Sequence, residues 1–389
     1  MRRVYLDNNA TAPIRPLARA AFVSHLDAGP ANAGSVHADG RRARLAIDRA
    51  REQVAALVGA RPSEVVFTAS GTEANNLALY GLAAGVSSGA RRIVASAFEH
   101  PSVDAVLADL QTRGYEILRI RPDEHGVVPV TTVLDAAQEG STACVTLMLA
   151  NHEVGTLQPV SEIGAALRAR GIPLHTDAVQ AAGKVEVAIG DLGAGTLSLA
   201  AHKLGGGFGA AAVIVREGVR LAPHLRGGGQ EAGRRPGTEN VAAIAAFGAA
   251  AAEARADLAG EGRRIGDLRD RLETAVLDLY AGARVNGAAA TRVPNTSSLH
   301  LPGLKAESMV MALDLEGIAI SAGPACSSGT QRRSPTLLAM GLVAAADASV
   351  RISLGHATTA DEIDRCVAAI GLVLERVRTP TTIAPRGTP

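Results

Sequence analysis

Lysine is scarce in this chain of 389 residues: only Lys184, Lys203 and Lys305 stand among its 39 basic side chains. The bias toward arginine says nothing about function, but it singles out each lysine for a role that guanidinium cannot fill. Forming a Schiff base is one such role, because guanidinium stays protonated. Lys203 stands in TLSLAAHKLGGGFG, just past a predicted strand and before a glycine run. Ligands of open α/β sheets lie at the carboxyl ends of strands, so its position is right. Lys184 and Lys305 have turn-like or surface surroundings and read as ordinary exposed residues. The three cysteines separate in a similar way. Cys144, in the apolar run CVTLMLA, and Cys366, beside the stripe of the last helix, read as packing. Cys326 is surrounded by Gly323, Pro324, Ser327, Ser328 and Gly329 and reads as a thiol on an exposed loop. Asp177 ends a predicted strand and Gln180 follows it. Ser70-Gly71-Thr72-Glu73 opens a predicted helix, whose free amides suit an anion such as phosphate. The 10 histidines show no metal-ligand spacing, so no metal site is expected.

These residues need a scaffold that delivers several strand ends to one place, and the hydropathy pattern predicts one. Apolar runs at 65–69, 92–96, 115–120, 144–150, 173–177, 196–200 and 211–215 alternate with helical stretches such as 72–83 and 102–112. Buried runs separated by helices indicate an α/β fold, a mostly parallel sheet covered by helices on both faces. Upstream, Ile47, Ala50, Val54, Leu57 and Val58 recur at helical spacing and Gly59 follows as a stop. Beyond an Ala-rich segment the character changes. Ile265, Leu268, Leu272, Val276 and Leu279 form a stripe that opens a second domain. Its closing helix buries Ile363, Val367, Ile370, Leu374 and Val377, and starts where Thr359 and Glu362 have capping-box spacing. The expected division is a large domain over 14–257 and a smaller α+β domain over 1–13 and 258–389. The smaller one carries Cys326 on a loop at about 321–335. The Pro- and Thr-rich tail 379–389 reads as disordered.

Composition narrows the function classes. Hydrophobic residues make up 47% and aromatics 2% with no Trp, so packing rests on Ala, Val, Leu and Ile. A net charge of +1, without a basic stripe interleaved with aromatics, argues against a nucleic-acid partner. No apolar segment follows the two N-terminal arginines, and no run of about 18 apolar residues occurs. A cytoplasmic protein with no membrane association is expected. Three widely spaced cysteines build no disulfide framework.

Taken in order, many short motifs share one resemblance. They are YLDNNATAP (5–13), NAGSVH (32–37), SGTEANN (70–76), FEHPSV (98–103), NHEVG (151–155), HTDAVQ (175–180), AHKLGG (201–206), GGGQEAGRRPGTEN (227–240), SAGPACSSG (321–329) and SVRISLG (349–355). Nearly end to end, the chain resembles pyridoxal-phosphate (PLP) enzymes of fold type I, and within them the cysteine desulfurases of the NifS/IscS type. The resemblance implies a seven-stranded sheet in the large domain, PLP as cofactor and L-cysteine as substrate. Cysteine would become L-alanine while its sulfur moves to Cys326 as a persulfide. It further implies that Lys203 carries PLP and moves the proton at the substrate Cα. Asp177 would face the pyridine nitrogen and keep it protonated. His100 would stack on the ring, and Gln180 and His152 would bond the ring oxygen. Gly71, Thr72 and His202 would hold the phosphate, and Thr238 would reach it from the neighbouring subunit of a homodimer. Arg351 would pair with the substrate carboxylate in a fork, with Asn32 near it. A sulfur-acceptor or iron–sulfur scaffold protein would be the partner.

Four features depart from the family pattern. His152 stands where the family typically has Asn, and Ala200 where it has a phosphate-binding Ser. Gln331-Arg332-Arg333 makes the cysteine loop more basic, and the terminus TTIAPRGTP lacks the tail by which housekeeping members dock a cluster scaffold. Two other readings stay open at this point: a selenocysteine lyase or other class V aminotransferase, and a weakened paralogue kept as a binding subunit.

Overall fold

Residues 3–30, 32–86, 89–323 and 333–378 are described by the computed structural model. Cys326 and the tail 379–389 lie outside them. In chain order the elements are β1 (Val4–Tyr5), α1 (Pro16–Asp27), α2 (Ala38–Leu57), β2 (Val65–Thr68), α3 (Gly71–Gly85), β3 (Arg92–Ser96), α4 (Pro101–Thr112), β4 (Glu116–Ile120), α5 (Val130–Ala136), β5 (Thr142–Thr146), α6 (Val160–Ala169), β6 (Leu174–Asp177), β7 (Thr196–Ala200) and β8 (Ala211–Val215). There follow α7 (Val241–Ala256), α8 (Leu258–Leu279), β9 (Arg284–Val285), β10 (Thr296–His300), α9 (Ala306–Leu315), β11 (Ile318–Ala319), α10 (Pro335–Ala339), β12 (Ser349–Ser353) and α11 (Ala360–Arg378).

All seven apolar runs become strands of one sheet, in the order β2-β8-β7-β6-β5-β3-β4. Only β8 runs against its neighbours; the remaining pairs are parallel. Every position of β5, β6, β7 and β8 is buried, as strands covered on both faces require. The run predicted at 144–150 differs most, since β5 ends at Thr146. The chain beyond still bonds β6 on one side, through Leu147 and Leu149 amides to His175 and Asp177 carbonyls at 3.1 and 2.9 Å. On the other side β3 has already ended at Ser96 and the chain leads into α4, so the extension has one partner, not two.

Local signals set the helix ends. α2 stops at Leu57, and Gly59 takes the left-handed conformation at φ +61°. α11 begins with a reciprocal box: Glu362 N donates to Thr359 Oγ1 at 3.3 Å and Thr359 N to Glu362 Oε2 at 3.1 Å. Two main apolar clusters form. The larger lies around the seven-stranded sheet with α1, α2, α6 and α7. The second packs α8, α9 and α11 on the sheet β12-β10-β9 and on the β1-β11 pair. Leu279, expected in the second core, is 40% exposed, because it closes the last turn of α8 beyond that cluster.

α7 is apolar on all sides and accordingly sits inside, packed on α1 and α2. Small side chains let the axes approach: a Cβ on Gly248 would fall 2.6 Å from Ala50 Cα in α2. Replacing Gly248 by Ala should therefore lower stability by about 1–3 kcal/mol through overpacking. At Gly371 in α11 an added Cβ meets nothing within 4 Å among the described residues. There the same change should be neutral or stabilise by up to about 1 kcal/mol. Thermal unfolding of both variants checks the contrast.

Candidate active site

The carboxyl ends of β6 and β7, the start of α3 and the loop before α4 enclose a cleft of about 270 Å³. Nine residues singled out from the sequence line it: Gly71, Thr72, His100, His152, Asp177, Gln180, His202, Lys203 and Arg351. Ala200 forms part of its wall. Two expected residues stand elsewhere. Asn32 is exposed and accepts the Gly34 amide on its own Oδ1 at 2.9 Å. Thr238 is exposed and does not line the cleft of its own chain. Cys326 lies outside the described residues.

Helix ends supply two of the walls. Ser70 caps α3, its Oγ accepting from Glu73 N at 3.1 Å. The Gly71 and Thr72 amides, at the first two helical positions, have no intrahelical acceptor and point their positive end at the cleft. The SGTE segment is thus both a cap and an anion-binding end. His100 caps α4 ahead of Pro101. Its Nδ1 accepts the Ser102 amide at 3.1 Å, so the neutral ring carries its proton on Nε2.

A directional chain holds Asp177 from behind. Asn75 Nδ2 donates to Asp177 Oδ2 at 2.7 Å and to Ser102 Oγ at 2.9 Å. Its Oδ1 therefore faces His175 Nε2 at 3.2 Å, which must be the donor there. His175 Nδ1 is then left to accept from Thr196 Oγ1 at 2.9 Å. Burial pushes His175 down to about 4, so it stays neutral and acts as a strut. Asp177 Oδ1 accepts the Val179 amide at 2.9 Å.

Cations and neutral imidazoles share the rest. Lys203 Nζ donates to the carbonyls of Asn9 and Ala10. Arg351 donates to Asp7 Oδ1 at 2.7 Å and to the His152 carbonyl at 3.0 Å. Three of its five N–H groups remain beyond these two bonds, and Nε is buried without a partner among the described residues. His152 stands edge-on to His100, centroids 5.7 Å apart. Burial, then the charges of His100, Arg351 and Lys203, hold His152 well below the ordinary imidazole range. His202 is pushed down to about 4, chiefly by burial. The cleft thus offers an anion site, a fixed carboxylate, an amine and imidazoles held uncharged.

Lys184 corrects the surface reading. Its Nζ bonds Gln180 Oε1 at 2.6 Å and Asn9 Oδ1 at 3.0 Å. The signal was present, since the rarity that singled out Lys203 applies equally here, one helical turn's spacing after Gln180. Lys305, in contrast, is exposed. Cys144 and Cys366 are buried, and burial pushes both thiols up to about 12, which leaves them inert. Asn9, Asn75 and Glu153 carried no sequence signal of their own.

Two segments beside the cleft are tied down from outside it. Ser321 and Arg351 exchange backbone bonds at 2.7 and 3.1 Å, and Ser334 Oγ donates to the buried Glu153 at 2.5 Å. Both described ends of the cysteine loop are therefore fixed next to cleft residues. In the loop 227–240, Glu231 and Ala232 adopt left-handed backbone at φ 48° and 54°. The buried Glu231 carboxylate takes a fork from Arg51 at 2.7 and 2.8 Å and the Phe67 amide at 2.8 Å. Arg235 in that loop pairs with Glu73 of α3 at 2.7 Å.

Residues 4–366 match the family model of class V aminotransferases. The chain belongs to the class V aminotransferase family. A relative named cysteine desulfurase from a Nostoc species is 39% identical over 379 residues, 97% of this chain and 94% of its own length. One named cysteine desulfurase IscS, from Dictyoglomus turgidum, is 35% identical over 383 residues, covering 97% and 96%. A solved structure titled NifS-like protein superposes with a TM-score of 0.89 at 31% identity, covering 96% of this chain and 99% of its own. The fold is accordingly that of the fold type I enzymes of this family.

Glu99 gives this member a pH-dependent core. It is fully buried between Ser96 Oγ and the Met148 amide, with Oε2 unpartnered among the described residues. Burial, opposed by those bonds, raises its carboxyl from 4.5 to about 8. The folded state therefore holds a proton that the unfolded chain releases. Stability is fully present below about pH 4.5 and falls by up to about 1.4 kcal/mol per pH unit as pH rises toward 8. Glu99→Gln should lack this slope, so its melting temperature relative to wild type should climb between pH 5 and 8.

Proposed function

We propose that this protein is a PLP-dependent cysteine desulfurase that converts L-cysteine to L-alanine and takes the sulfur onto Cys326 as a persulfide. The observation that carries the reading is the convergence, in one cleft, of Lys203, Asp177 and the open helix end of α3. Their chemistry matches the three parts of PLP: an aldehyde, a pyridine nitrogen and a phosphate. Arg351 Nε and His152 Nδ1, without a partner among the described residues, supply further polar groups for a bound molecule. The names and coverage of the relatives support the substrate assignment.

When bound, PLP supplies an electron sink for the bonds at the substrate Cα. Lys203 would hold it through Nζ and then move the Cα proton with that same atom. Asp177, held in place by the Val179 amide and Asn75, would pair with the ring nitrogen. Gly71, Thr72 and His202 would hold the phosphate, with Ala200 contributing no hydroxyl there. Gln180 and His152 would bond the ring oxygen. His100 would stack on the ring as a neutral imidazole, with its hydrogen placed on Nε2 because Nδ1 accepts the Ser102 amide. Arg351 would receive the substrate carboxylate on its unspent N–H groups. Cys326 as thiolate would attack the substrate sulfur. The S–S bond would form as the substrate Cβ–S bond breaks with its electron pair left on carbon, which is then protonated on the way to alanine. The described loop ends at Ser321 and Ser334 are held beside the cleft.

The wider assignments follow from the same reading. A homodimer would bring Thr238, absent from its own cleft, to the phosphate of the neighbouring site; Asn32 would approach the substrate carboxylate. The large and small domains would divide at 14–257 against 1–13 with 258–389, in keeping with two main apolar clusters. The sulfur would pass to an acceptor or iron–sulfur scaffold protein, in the cytoplasm. Among the described residues no helix is long and apolar enough to cross a membrane, and no group of three His, Cys, Asp or Glu gathers for a metal.

Alanine release from L-cysteine in the presence of reductant tests the core of this reading. Wild type should form alanine and Cys326→Ala almost none; equal release from both would remove Cys326 from the mechanism. Arg351→Lys loses the planar fork and should raise KM for L-cysteine by about tenfold or more, with a smaller change in kcat.

A further inference from the structure

Two of the chain's three lysines meet on one residue. Lys203 Nζ bonds the Asn9 main-chain carbonyl, and Lys184 Nζ bonds the Asn9 side-chain Oδ1. Lys184 also bonds Gln180 Oε1, and neither of these two partners is a carboxylate. Burial, then the charges of Lys203 and Arg351, hold its amine well below the ordinary lysine range. A buried amine between two neutral amides is costly to keep, and nothing in the reaction described above uses it.

The bonds themselves indicate its work. Gln180 Nε2 donates to the Asn9 carbonyl at 2.9 Å, and a carbonyl oxygen can only accept. Lys184 takes the other end of the same amide, Oε1, at 2.6 Å. The amide is therefore held in one of its two orientations from both ends. Its NH2 group has two hydrogens; one is spent on Asn9, and the second is left for the cleft that Gln180 lines. Without Lys184, Oε1 would lose a partner in a site where Gln180 is 7% exposed, and a flip or rotation of the amide would become competitive.

We propose that Lys184 is a positioning residue: its Nζ clamps Gln180 Oε1 and Asn9 Oδ1 and so aims the Gln180 NH2 group at the cleft. This rests on the PLP-enzyme reading, in which that NH2 group meets an oxygen of the cofactor. The clamp also ties Gln180 to the same Asn9 whose main chain receives Lys203, so the amide donor and the amine are set by one residue.

A thermodynamic cycle read by PLP binding tests the proposal. Apoprotein of wild type, Lys184→Met, Lys184→Arg, Gln180→Ala and the Lys184→Met/Gln180→Ala double variant is titrated with PLP, following the visible absorption band of the bound cofactor. Lys184→Met should bind PLP about tenfold more weakly, the scale of one buried hydrogen bond, while Lys184→Arg, which keeps a donor, recovers most of the loss. In the Gln180→Ala background, Lys184→Met should add nothing, because its effect passes through Gln180. Wild-type affinity in Lys184→Met, or equal weakening with and without Gln180, would overturn the proposal. If Lys184→Met does not fold, as judged by circular dichroism, Lys184→Gln replaces it in the same cycle and is read by the same criteria. A wild type that binds no PLP would sink the functional reading as well, whereas a wild type that binds it beside an unaffected Lys184→Met sinks only the role of Lys184.

Discussion

The cleft depends on a single buried asparagine. Asn9 follows β1, yet every polar atom it owns is engaged with a distant part of the chain. Its amide donates to Ser353 Oγ, its Nδ2 to Thr296 Oγ1 and the His152 carbonyl, and its Oδ1 accepts from Asn295 and Lys184. Its carbonyl accepts from Gln180 and Lys203. One side of this residue thus belongs to the β10–β12 region and the other to the ends of β6 and β7. Buried polar groups are costly unless fully bonded, so this satisfied hub locks two otherwise separate layers in one relative placement. The amine, the amide and the arginine of the cleft come from different layers and need that lock to face one another.

The sheet was legible from residues alone because its strands are buried on both faces and read as short, continuous apolar runs. The one poor boundary, at 144–150, arose because hydropathy reports burial and not how many neighbours a strand has. Helix ends were legible where a side chain or a glycine makes the stop locally, as at Gly59 and the Thr359–Glu362 box. Nine cleft residues were reached through motif order; composition and spacing alone supported Lys203, Asp177 and the start of α3.

The remainder was illegible for a physical reason. Asn9 lies 171 residues from Gln180 and 344 from Ser353, so its partners exist only after the chain has closed. Lys184 was misread for the same reason: a Gly-Lys pair in a turn resembles a solvated loop until a second layer covers it. Asn75 and His175 show that support residues behind a site leave no local pattern, because their task is defined by who donates to whom.

The left-handed pair at Glu231 and Ala232 has a consequence for how the loop 227–240 can change. Two consecutive non-glycine residues in that region cost about 1–2 kcal/mol each, and the offset comes from the Arg51 fork and the Phe67 amide on one carboxylate. The same segment is held further by Arg234, which donates to the Ser63 carbonyl at 2.9 Å, so several bonds offset the strain together. Since Arg235 reaches from that segment to Glu73 in the first turn of α3, these bonds couple the surface loop to the anion-binding end of the helix. A substitution at Arg51, a residue far along α2, would therefore loosen a loop that reaches the opening turn of α3.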